Sequence, residues 1–167
     1  MANNYIKDTL KDVLRHTHSL GIFEMVKISG TLEETNIETV DANKTVIFKG
    51  KTVNPVADFV EATVGLSRMS VLDGYLKYPG FDDEAATVAV VTQNRNEVDV
   101  PVEISFVAAD GTDANYRFML ADVINQQLKE IKFKGAEFDI NIVPSAKNLK
   151  DLSYFNGVLG AFEANFS

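Results

Sequence analysis

Residues 10–24 read Leu10-Lys11-Asp12-Val13-Leu14-Arg15-His16-Thr17-His18-Ser19-Leu20-Gly21-Ile22-Phe23-Glu24, and residues 149–163 start the same passage again. Leu149-Lys150-Asp151, seven residues, and Leu159-Gly160-Ala161-Phe162-Glu163 repeat it without a gap, with seven identities in fifteen positions. Both copies read as a helix running through a Gly stop into a strand. The first is followed by a long β-rich stretch, the second only by Ala164, Asn165, Phe166 and Ser167. The echo predicts a duplicated-domain protein whose second domain is incomplete. A period of 139 residues is too long for a solenoid, which repeats every ~20–50 residues.

Working outward, residues 5–18 place Ile6, Leu10, Val13 and Leu14 at i, i+4, i+7 and i+8, one apolar face of a helix. Lys7, Lys11, Arg15 and His18 form a separate stripe roughly 110° away, with Asp8 and Asp12 beyond it. Gly21 is expected to end the helix. Ile22–Ile28 reads as a strand, and β-prone runs follow at Thr35–Val40, Lys44–Val53 and Asp58–Leu66. Ser67 is the expected N-cap of a second helix, Arg68–Tyr78, closed by Pro79-Gly80. Ala86–Gln93 and Val98–Val107 flank the turn Asn94-Arg95-Asn96, and Tyr116–Met119 is a further short strand. Residues 119–132 form a connector, with Leu120, Val123, Ile124 and Leu128 helically spaced among polar residues. Phe133–Val143 alternates as a strand. Ser145 caps a new helix bearing Leu149, Leu152 and Asn156 on one face and Lys147, Lys150 and Tyr154 on the other, and Phe162–Phe166 alternates as a final strand. Short helices interleaved with hairpins indicate an α+β fold with antiparallel sheets rather than βαβ units.

The chain has 167 residues, 46% hydrophobic and 24% charged, enough to bury on the order of 70% of its unfolded surface. It is one large domain, or one domain plus a piece. Cysteine is absent, which excludes a disulfide framework, a thiolate nucleophile and Cys-based zinc or iron–sulfur sites, and fits a reducing compartment. The first residues lack an apolar signal-peptide core, and no run approaches the ~20 apolar residues of a membrane span, so a soluble chain without a classical export signal is expected. A net charge of −8 argues against holding nucleic acid by bulk attraction. The charges are segregated, however. Acidic residues collect in the turn-like stretches Glu33-Glu34, Glu38, Asp41, Asp82-Asp83-Glu84 and Asp110–Asp113, while the helices of the echo carry Lys7, Lys11, Arg15, Lys147 and Lys150.

His16 and His18 point ~200° apart on a helix, too divergent for one cation. Asp82-Asp83-Glu84 lacks the EF-hand spacing and reads as a solvated turn. Nucleophile-elbow, Walker A, dinucleotide-binding and zinc-protease motifs are missing, so no cofactor and no catalytic residue are assigned. The basic stripes carry i,i+3 partners, Asp8 with Lys11 and Asp12 with Arg15, as solvated surface helices do. Their recurrence in the second copy, on an acidic body, instead suggests a local attraction for a polyanion.

The order of elements, with Leu66-Ser67-Arg68-Met69-Ser70-Val71-Leu72 opening the second helix, resembles the DNA polymerase sliding clamp of T-even-type bacteriophages and their marine relatives. The likeness is strongest at Ile6–Lys27, Phe59–Gln93 and Phe138–Phe166. It implies a DNA-clamp-like processivity fold, antiparallel sheets with short helices on one face, divided into a first clamp domain (1–118), an interdomain connector (119–132) and a partial second domain (133–167). It also implies a non-enzymatic processivity factor that encircles double-stranded DNA without sequence preference in the cytoplasm of the infected bacterial host. The full-length form would be a homotrimer. Lys7, Lys11, Arg15, Lys147 and Lys150 would face DNA, and the connector would flank the groove that takes polymerase and clamp-loader peptides. No metal and no membrane are implied. The alternatives are a phage virion structural or assembly protein and a small-molecule-binding α+β domain.

Overall fold

The apolar spacing of Ile6, Leu10, Val13 and Leu14 produces helix α1, Tyr5–His16, with all four side chains buried. A computed structural model describes residues 5–95, 97–129, 139 and 143–160. The chain divides into two compact units, Met1–Ile131 and Lys132–Ser167.

In the first unit α1 leads into four antiparallel strands: β1 (Met25–Gly30), β2 (Thr35–Val40), β3 (Ile47–Lys51) and β4 (Thr63–Ser67), in the order β3-β2-β1-β4. Helices α2 (Met69–Lys77) and α3 (Pro79–Asp82) lead into β5 (Thr87–Arg95), β6 (Val98–Val107) and β7 (Asp113–Arg117), again antiparallel and in the order β5-β6-β7. A helix followed by an antiparallel sheet thus occurs twice within one unit, the first sheet in Greek-key order with β4 returning beside β1 and the second a simple meander, and the protein is mixed α+β. One hydrophobic core serves both halves, joining Leu10 and Leu14 of α1, Leu72 and Leu76 of α2, Val26 and Leu66 of the first sheet, and Ile104 and Phe106 of the second. Full burial of each such side chain contributes about 1.5–3 kcal/mol before the entropy of ordering it is subtracted.

Strand β4 is buried at Val64, Gly65 and Leu66 in succession, because both of its faces are covered. Val64 and Leu66 enter the core, and Gly65 lies beneath helix α4 (Ala121–Gln127). A Cβ on Gly65 would stand 2.9 Å from Met119 Cβ and 3.0 Å from Ile124 Cβ, so only glycine permits this approach. Gly65 and Met119 also exchange both backbone hydrogen bonds, at 2.9 and 2.7 Å, tying the connector to the first sheet.

The element boundaries differ from the sequence reading for local reasons. Helix α1 stops at His16, where the buried Thr17 hydroxyl donates to the Val13 carbonyl at 2.6 Å. A 3₁₀ turn, His18–Leu20, then runs to Gly21 at φ 72°. The expected Lys44–Val53 strand shortens to Ile47–Lys51 because the Asp41 carboxylate gathers the backbone of Asn43, Thr45 and Val46 into a turn. Asp58–Leu66 splits into a 3₁₀ turn, Ala57–Phe59, and β4. Ser67 is the last residue of β4, not an N-cap. The reversal into α2 is made by Arg68 in the left-handed conformation (φ 51°, ψ 45°) with no side-chain cap. Pro79 closes α2, leaving Tyr78 extended (ψ 125°), and also begins the short α3, where it occupies the first turn and its missing N–H has no consequence.

In the second unit Ser145 caps α5, Ala146–Leu159, accepting from the Asn148 N–H. The helix continues through Gly157 and ends at Gly160 (φ 59°), whose N–H donates to the Asn156 carbonyl at 2.9 Å. Gly21 and Gly160, matched in the echo, are both left-handed glycines closing a helical segment. The expected strands at Phe133–Val143 and Phe162–Phe166 fall on residues outside those described, apart from Asp139 and Val143.

Candidate nucleic-acid interface

Helix α1 presents its core face inward, so its polar positions border the surface. Lys7 does not stand on that surface: it is only 5% exposed. Its ammonium donates to the Asp82 carbonyl at 3.0 Å and lies 3.8 Å from the Asp82 carboxylate. The expectation of an exposed Lys7 is corrected by α3, whose last residue meets α1 in a contact that helical periodicity within α1 cannot register. Lys11, one turn on, pairs with the same carboxylate while staying partly exposed. Arg15 is exposed. Asp82 is therefore more than a solvated turn residue. The hydrogen bond from Lys11, followed by the charge of that lysine, holds its carboxyl below the usual carboxylate range.

Lys11, Arg15 and Ser19 form one side of a groove of about 390 Å³, and Asp73, Lys77 and Asp82 the other, over a floor of Leu14 and Leu76. Lys77 pairs with Asp73 at 2.6 Å. Lys77 lies outside the basic stripes read from the sequence, because α2 carries no second basic residue one turn away to form a stripe with it. His16 lies on the exposed part of α1 against Asp12, at 3.4 Å, and among the described residues no cluster of three His, Asp or Glu side chains is placed to hold a metal ion.

Lys147 and Lys150 lie on α5, in the other unit. Lys147 pairs with Asp151 at 2.5 Å, and Lys150 is exposed. Leu149 and Leu152 are 53% and 41% exposed, whereas their counterparts Leu10 and Val13 are 0% and 3% exposed. The echo preserves the helix and its glycine stop but not the burial of its face.

Other concavities also lie in the first unit. A small cleft is lined by Thr39, Ile47, Phe48 and Leu128 and rimmed by Glu38, Lys49 and Lys129, where the end of the connector meets β2 and β3. Burial pushes the Glu38 carboxyl up, but Lys27 and Lys49, at 3.2 and 3.3 Å, outweigh it, leaving the group below its ordinary range. A more open apolar groove of about 490 Å³ runs beside β7, lined by Val71, Gly74, Tyr75, Tyr78, Phe81 and Ala114. Sequence reading missed it. Its only signal was the spacing of Tyr75, Tyr78 and Phe81, which also suits a core.

No model of a known protein family matches the chain, and no curated protein is significantly similar to it.

Proposed function

We propose that the chain is a sliding-clamp processivity factor, a non-enzymatic protein that encircles duplex DNA without sequence preference and tethers the replicative polymerase. The observation that carries this reading is the groove between α1 and α2, where Lys11, Arg15 and Lys77 outnumber Asp73 and Asp82 in a protein with net charge −8. Local positive charge on an acidic body attracts a polyanion at one surface and repels it elsewhere. Contacts to phosphate carry no sequence information directly, as a sliding ring requires.

The finer, DNA-clamp-like description of the α+β fold belongs to the same proposal, supported by the succession of a helix and an antiparallel sheet that occurs twice within the first unit. Lys11, Arg15, Lys147 and Lys150 are the proposed DNA-facing cations, and in the first unit Lys7 holds α3 behind Lys11. The cleft at Ile47, Phe48 and Leu128 is the proposed seat of polymerase and clamp-loader peptides. The groove beside β7, an edge strand among the described residues, suits contact between subunits of a homotrimer.

Replacing Lys11, Arg15, Lys147 and Lys150 together with Ala tests the reading. The salt dependence of duplex binding is expected to flatten by about 0.9 in log–log slope for each phosphate no longer neutralised. Processive synthesis is expected to fall while the fold is retained. Unchanged processivity at low and moderate salt would refute it.

A further inference from the structure

We propose that Asp82 is a built-in competitor for phosphate, an electrostatic latch that keeps the hold of Lys11 on DNA weak and short-lived. The inference rests on the reading of α1 as a DNA-facing helix and names the regulation of that surface. Asp82 is fixed from behind. It ends α3, whose Phe81 is anchored in the core, and its own carbonyl is held by the buried ammonium of Lys7 at 3.0 Å. The two lysines therefore have different duties. Lys7, 5% exposed, cannot leave Asp82 without stranding a charge in the interior, whereas the Lys11 side chain is 40% exposed and its pair faces solvent. An exposed ion pair is weak and screened by salt, so a phosphate entering the groove can take Lys11 from Asp82. The displaced carboxylate stays in place, held by Lys7, and repels the phosphate that has replaced it. Lys77, paired with Asp73 one turn away on α2, is a second exposed ion pair in the same groove.

Asp82→Asn removes the competing charge while keeping the side-chain size and the carbonyl that Lys7 uses. In titrations of a fluorescent duplex at about 50 mM salt, this variant of the 167-residue chain is expected to bind about 3- to 10-fold more tightly than the parent. Its log–log salt slope is expected to be steeper by about 0.9, the equivalent of one more phosphate neutralised. Asp82→Asn combined with Lys11→Ala is expected to lose that gain and bind like Lys11→Ala alone. An equal gain in the double variant would reduce the effect to net charge and overturn the latch. If Lys11→Ala and Arg15→Ala weaken binding but Asp82→Asn changes nothing, the latch fails and the DNA-facing reading stands. If none of the three alters binding, the reading fails and takes the latch with it. Lysine side-chain NMR on the unsubstituted protein provides a check independent of how well the variants fold. Adding duplex is expected to shift the Lys11 Cε and Nζ signals and leave those of Lys7 in place. Motionless Lys11 signals at saturating duplex would overturn the proposal.

Discussion

The Asp41 carboxylate accepts from the backbone N–H groups of Asn43 (3.2 Å), Thr45 (2.6 Å) and Val46 (2.6 Å) and from the Thr45 hydroxyl (2.9 Å). The Val46 N–H contributes most to holding its pKa below the ordinary 3.8. A carboxyl depressed on folding stabilises the protein above its unfolded pKa, and that stabilisation fades as pH falls through the folded value. Asp41→Asn is therefore expected to lower Tm at neutral pH, with the gap to the parent closing as pH drops below 3.8, in melts recorded across that range. Tyr116 has the opposite sign. Buried at 1% exposure, its hydroxyl donates to the Ser67 carbonyl at the β4–α2 reversal, and burial pushes the phenol up to about 12 from 10.0. Its stabilisation is complete below pH 10.0 and is lost as pH rises through about 12. Tyr116→Phe is expected to cost about 1–2 kcal/mol in denaturant unfolding at pH 7, with little change in the denaturant slope, and to blunt alkaline unfolding.

At the scale of elements, the two echoed helices invite the same substitution. Leu10→Ala, at a site with no exposure, is expected to cost about 2–5 kcal/mol, and Leu149→Ala, half exposed on α5, less than about 0.5 kcal/mol. Equal costs in denaturant titrations would show that α5 is covered as α1 is. Gly65→Ala forces a Cβ to within 3.0 Å of Met119 and Ile124 and is expected to cost about 1–3 kcal/mol, with faster hydrogen exchange at the Gly65 and Met119 amides. The helices were legible because Ile6, Leu10, Val13 and Leu14 repeat at helical spacing, and because Ser145 and Gly160 signal their ends locally. The β2 strand was legible in its alternation of Thr35, Ile37 and Thr39. What escaped was decided by partners distant in sequence or by local backbone turns. Arg68 reverses the chain without a glycine, Asp41 cuts back the start of β3, and α3 buries Lys7 from 75 positions away. Lys11 and Arg15 could be read from the sequence as basic positions of the candidate site, but the acidic partner of Lys11 on α3, 71 positions away, could not.

For the whole molecule, the hydrophobic core among the described residues runs from Ile6 to Phe118, all in the first unit. A chain ending at Ile131 is expected to fold by itself, with a single cooperative melt close to that of the 167-residue protein. By contrast, α5, with Phe155 and Val158 56% and 63% exposed, is expected to contribute little to that melt, since a 14-residue helix without a covered face is marginal in water. Calorimetry of both lengths checks this, and failure of the shorter chain to fold would make α5 part of the folding unit. If a polymerase is towed from this protein, the Gly65–Met119 bridge acquires a mechanical meaning. It works as the strain relief on a cable: a tug arriving from beyond Leu128 is borne by Ile124, seated over Gly65, and by the two hydrogen bonds to β4, before any tension reaches β7.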